Sequence, residues 1–205
     1  MKKFLLFSAF ALVLAGCTHT AEYNKNAETA QVNENIQIDK ALQSTIIYVS
    51  AEQFKNQKFK ASSKLGNDES VSINLGEFAA GETQRFFANY LTNLITSKDP
   101  NALNSQGLII IPNISSFRYG FYSADGFDVT AKPFVSYDFN IKIFKNQKLL
   151  YNKNISTAER HFGESAFYGG GDAHHAQIAP IFQKAISTDL SAHAEEMIAA
   201  INSVM

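Results

Sequence analysis

The chain of 205 residues has no tryptophan, one cysteine, four prolines and three methionines. A lone cysteine cannot close an intrachain disulfide, so burial alone must hold the fold together. Beyond residue 17, no apolar run reaches the roughly 18 residues that a membrane-spanning helix needs. An excess of charge of one sign is also missing, with 18 basic side chains against 19 acidic ones. That balance argues against a nucleic-acid partner and against a polybasic mode of membrane binding, both of which need a cationic face. There is no internal repeat, no His-Glu-x-x-His pair and no Gly-Lys-Ser/Thr after the glycine run, so the standard zinc-protease and phosphate-loop signatures are excluded. With tryptophan absent, 17 phenylalanines and 8 tyrosines carry the aromatic content. The core is therefore expected to be rich in phenylalanine.

What is present begins at the N-terminus. Lys2 and Lys3 precede an apolar run from Phe4 to Val13. A positive start followed by so short an apolar stretch reads as a signal peptide and not as a membrane helix. The next four residues, Leu14-Ala15-Gly16-Cys17, resemble the lipobox of bacterial lipoproteins. The resemblance implies a diacylglycerol on the Cys17 thiol, cleavage before Cys17, and acylation of the freed amine by a palmitate-class chain. Two or three chains anchor far more firmly than one. Thr18 stands where aspartate would signal retention in the inner membrane. The resemblance therefore implies the outer membrane, with the body facing the periplasm. Removing residues 1–16 takes Lys2 and Lys3 with it. That leaves 189 residues with 16 basic side chains against 19 acidic, a net charge of −3. A chain of that length can bury one sizeable core.

Three segments follow: a signal peptide over 1–16, lipidated Cys17 with a flexible tether over 17–35, and a globular domain over 36–205. The tether is inferred from Thr, Ala, Asn, Glu and Gln with few apolar anchors. Thr45 to Val49 is β-branched and aromatic, and predicts a strand. Phe54 to Lys64 fits an edge strand or a loop. Val71 to Leu75 alternates as a short strand. The spacing of Phe87, Leu91, Leu94 and Ile95 predicts a helix over about 80–97. Leu108 to Pro112 is apolar on both faces, as in a central strand. Phe117, Tyr119 and Phe121 suggest a further extended piece, and a turn is expected at 123–126. Val135, Tyr137, Phe139, Ile141 and Ile143 keep strict period two and predict a hairpin over about 133–160, turning at Lys145-Asn146-Gln147-Lys148. A Gly-rich loop over 162–173 leads to a closing helix over about 174–203. The expected fold is α+β: a single two-layer domain, mostly antiparallel sheet, with the two amphipathic helices on one face.

Candidate chemistry clusters late in the chain. His161, Glu164, Asp172, His174 and His175 are metal-ligand types within fifteen residues. Their spacing matches no standard site, and a solvated loop with Asp172 at a helix start explains it as well. No metal site and no cofactor are therefore assigned, and His161, His174 and His175 stand only as weak candidates. Gly163-Glu164-Ser165-Ala166-Phe167 is a partial match to the hydrolase nucleophile elbow, without its second glycine. Phe117, Tyr119, Phe121, Tyr122 and Phe127 could form a binding platform or pack as core. Tyr122, out of phase, is the one expected to be exposed.

In organisation, the lipobox at Cys17, the Leu108–Pro112 strand and the 134–157 hairpin are together similar to small periplasm-facing lipoproteins that serve envelope assemblies and transporters. The resemblance implies a non-enzymatic accessory or scaffold subunit, bound to the membrane by its lipid and docked on an envelope protein. A module binding a small ligand, lipid or metal is the alternative. An envelope hydrolase using Ser165 is a third reading.

Overall fold

The computed structural model describes residues 17–27, 36, 44–123, 129–168 and 173–204. The expected signal peptide, the 28–35 part of the expected tether, residues 124–126 of the expected turn, Phe127, Gly169 to Gly171 and Asp172 lie outside these.

The chain enters the fold earlier than its composition suggests. Thr18–Ala21 is a strand, β1, where the sequence predicted the start of a tether. Thr45–Tyr48 (β2), Gln57–Lys60 (β3) and Ser70–Ile73 (β4) follow. The first helix, α1, spans Leu75–Phe87 and not 80–97. The Asn74 side chain fixes its start by accepting from the Glu77 backbone N–H, a capping arrangement that satisfies one of the orphan donors of the first turn. The second half of the predicted helix is a strand, β5, over Leu94–Ser97. Its apolar positions were compatible with a helical stripe, but the segment pairs parallel to β2 and completes a sheet edge.

The apolar run at Leu108 and the aromatic alternation near Phe121 are one long strand, β6, over Leu108–Ser123. A bulge interrupts its register between Ser115 and Arg118, with Ser116 at φ +54°. The hairpin is present as Thr130–Lys145 (β7) and Lys148–Thr157 (β8). Asn146 and Gln147 both take positive φ, +49° and +65°, which is the twist a two-residue hairpin turn requires. His161–Phe162 (β9) and Ala166–Phe167 (β10) are short edge pairings within the expected glycine-rich loop. The closing helix is broken. A single 3-10 turn at His175–Gln177 leads into α2 (Ile178–Ala192), and α3 (Ala194–Asn202) follows after a kink at His193.

The architecture is α+β, with helices packed against mixed sheet. Among the described residues two sheets form rather than one: β1-β4-β3, and a larger one in the order β10-β7-β6-β2-β5 with β8 and β9 also on β7. Parallel pairings of β1 with β4 and of β2 with both β5 and β6 join the antiparallel ones. α1 lies on β6 and α2 on β7, and the two helices also touch each other. Between them Phe78, Phe117, Tyr137 and Phe182 interlock at centroid distances of 4.9–5.0 Å, giving the phenylalanine-rich core that the composition predicted. Among the described residues no helix is long and apolar enough to cross a membrane.

Candidate functional site

Cys17 is exposed and lies immediately before β1. Its carbonyl already accepts from the Ser70 N–H at 3.1 Å, so this residue is part of the fold. Side chains alternate across a strand, and His19 and Ala21 are the ones β1 turns inward. Ala21 is buried in the core. The His19 Nε2 lies 3.1 Å from Oε2 of Glu69, in the turn that leads into β4.

His175, at the first residue of the 3-10 turn before α2, meets the same oxygen. Its Nε2 is 3.2 Å from Glu69 Oε2. The two imidazoles stack, with centroids 3.9 Å apart and planes within 9°. Phe121 stands edge-on to His175 at 5.0 Å, and Tyr119 lies behind at 6.1 Å. Tyr119 donates its hydroxyl to the Glu69 carbonyl at 3.4 Å. Burial, with the Glu69 charge added, pushes that hydroxyl up to about 12. His175 is buried, whereas Glu69 keeps about a third of its side chain in solvent (35%). The three donor atoms lie within 4.8 Å of one another.

The residues after β1 are fastened from the helix side. Glu82 on α1 is 1% exposed, and one of its oxygens accepts from three donors: Tyr23 Oη at 3.0 Å, Arg85 Nη1 at 2.8 Å and Gln183 Nε2 at 2.8 Å. Gln183 of α2 also pairs with the backbone of Asn24 in both directions, and Arg85 donates to the Ala27 carbonyl. A buried carboxylate is stable only with such a full set of partners. Burial, and next the negative charge of Glu82, move the Tyr23 hydroxyl above its ordinary range. Residues 18–27 therefore form part of the body and not a tether, because the side chains of His19 and Tyr23 and the backbone of Asn24 and Ala27 bond into the fold.

Among the described residues predicted from sequence, only His175 joins this cluster. His174 turns the other way, its Nε2 3.0 Å from the Ala166 carbonyl. His161 stacks on Tyr137 at 5.6 Å. Glu164 is exposed, and its backbone N–H donates to Gln177. Ser165 is exposed on the link between β9 and β10, not at the strand-to-helix turn that a nucleophile elbow requires. His161, Phe162, Gln177, Ile181 and Lys184 line a separate cleft of about 370 Å³. Phe117, Tyr119 and Phe121 are core, and Tyr122 is 52% exposed, as the alternation predicted. His19 and Glu69 were not found from sequence. The only trace of β1 is Thr18 and Thr20 alternating with His19 and Ala21.

No protein-family model matches this chain, and no curated protein does. Among solved structures, the crystal structure of protein XCC0632 from Xanthomonas campestris, assigned to the family model DUF330, is similar. The TM-score is 0.56 at 9% sequence identity, over 91% of this chain and 97% of that one. At that identity the likeness is one of fold.

Proposed function

We propose that the protein is a lipoprotein acylated on Cys17, held at the outer membrane and facing the periplasm, where its body serves as a non-enzymatic accessory or scaffold subunit of an envelope assembly. The observation that carries this reading is the position of Cys17. The lipobox cysteine is exposed, and its own carbonyl is bonded to Ser70. Lipid on this thiol would leave the core untouched and would hold the body directly against the headgroups. Membrane confinement raises the effective concentration toward a partner in the same plane. Tyr122 and Phe162, both about half exposed and in edge-to-face contact at 6.3 Å, offer an aromatic patch for that partner.

The test is crosslinking in living cells with the anchor intact, then affinity capture and mass spectrometry. One envelope protein recovered near one-to-one from wild type, and lost with Cys17→Ser, is the expected result. Capture unchanged by Cys17→Ser, or no captured envelope protein, would overturn it. Incorporation of labelled palmitate into wild type, abolished in the same variant, reads the acylation separately.

The cleft beside His161 supports a second reading, a binding module for a small ligand. A ligand mass that accompanies the protein in native mass spectrometry, and disappears with Ile181→Trp in the cleft wall, would favour it.

A further inference from the structure

We propose that His19, Glu69 and His175 form a binding site for one divalent transition-metal ion of the zinc class. Two imidazole nitrogens and one carboxylate oxygen converge from three separate elements: β1, the turn before β4, and the 3-10 turn before α2. Zinc binds nitrogen and oxygen donors at about 2.0–2.2 Å, and a tetrahedron of such bonds has edges of about 3.3–3.5 Å. The separations from Glu69 Oε2 to the two Nε2 atoms, 3.1 and 3.2 Å, are close to those edges. Those two edges suit an ion as they stand, and the third, between the two Nε2 atoms, is within 4.8 Å. Because the rings lie nearly parallel, binding also asks the imidazoles to turn so that both Nε2 lone pairs aim at the ion.

The donor set selects among cations. Imidazole suits zinc and its neighbours, whereas calcium and magnesium take mostly oxygen. One carboxylate with two neutral imidazoles leaves a net positive charge when a divalent ion is bound. That favours a water or an anionic group at the remaining position, on the side where Glu69 is open to solvent.

Neighbouring side chains hold the cluster in place. Phe121 and Tyr119 wall the His175 ring. The Tyr119 hydroxyl holds the Glu69 backbone. Both Nε2 atoms approach the same oxygen, Glu69 Oε2, at 3.1 and 3.2 Å. His174, next in sequence, is occupied by the Ala166 carbonyl and takes no part. A bound ion would clip β1, two residues from Cys17, to the rest of the body. The site rests on its own three residues and stands whether or not Cys17 carries lipid.

The test uses the full chain, expressed with its leader, extracted from membranes in detergent and stripped with a chelator. Zinc is titrated in competition with a chromogenic chelator, and cobalt is added separately to read the coordination by its visible absorption. One equivalent of zinc should bind, and cobalt should give the intense bands of a four-coordinate site. His19→Ala and His175→Ala should each weaken zinc at least about 100-fold, while His193→Ala should leave it unchanged. Glu69→Gln is nearly isosteric at a part-exposed position, so it tests the site even if an alanine variant fails to fold; it should abolish the cobalt bands. Wild type that takes up no zinc would overturn the site. So would zinc bound equally well by Glu69→Gln, or zinc lost equally in His193→Ala.

Discussion

At the scale of single residues, two buried contacts carry checkable consequences. Tyr137 is fully buried and donates its hydroxyl to Asp189 Oδ2 at 2.5 Å. Burial is the largest influence on Asp189 and raises its carboxyl above the ordinary value, against the lowering effect of the Tyr137 hydroxyl. A carboxyl whose folded pKa is raised binds its proton more tightly in the fold than in the unfolded chain. Its stabilising contribution is complete below the unfolded value, about 3.9, and is lost as pH rises through the folded one. Asp189→Asn removes that loss and keeps an acceptor for Tyr137. The variant should therefore unfold at higher urea than wild type near neutral pH, with the gap closing below about pH 4. The second contact is Gly81 on α1, where an added Cβ would sit 2.3 Å from the Tyr23 ring. Gly81→Ala normally stabilises a helix by up to about 1 kcal/mol. Here it should cost about 1–3 kcal/mol in urea unfolding, because the N-terminal segment must lift from the helix to make room. The metal-type cluster was invisible at this scale. His19 and Glu69 are fifty residues apart and His175 lies near the other end of the chain, so no local spacing links them.

At the scale of elements, legibility followed the strength of the periodicity. Val135 to Ile143 keeps period two without exception, and the hairpin is where that pattern put it. Leu108 to Ile111 was legible as a central strand because it is apolar on both faces, and β6 does pair on both sides. The 80–97 helix failed because Leu91, Leu94 and Ile95 satisfy helical spacing by coincidence. The decisive signal is local: Asn74 with Glu77 three residues on is a helix start. The strand β1 was illegible because Thr-His-Thr-Ala is too short and too polar to announce burial; its partner β4 supplies the reason for it to be a strand. In native-state hydrogen exchange the β1 amides that bond β4 should be protected to within about tenfold of the β4 amides, whereas a tether would exchange at once. The hairpin turn offers a gain. Gln147 holds φ +65° without being glycine, so Gln147→Gly, which creates the favoured Asn-Gly turn, should raise stability by about 1 kcal/mol in urea unfolding.

At the scale of the whole molecule, β1 joins both halves of the structure. One edge of it bonds β4, its His19 reaches the turn before α2, and the residues after it are clamped by Glu82 and Gln183. An ion held by His19, Glu69 and His175 would be absent from the unfolded chain, so it should stabilise the body by mass action. At free zinc 100 times its dissociation constant, the gain is about 2.7 kcal/mol. For a body of this size that raises Tm by about 5–10 °C. Calorimetry of the full chain with and without zinc reads it, and Glu69→Gln should show no rise. The bond between the Cys17 carbonyl and Ser70 also bears on the order of events that the proposed lipidation would require. A signal peptidase and acyl transferases need the residues around their cysteine extended and accessible, yet β1 docks against β4 from the very next position. If Cys17 is processed as proposed, maturation and folding compete for the same few residues. The last strand to settle would then be the first one synthesised, and the body would close only after the leader has gone.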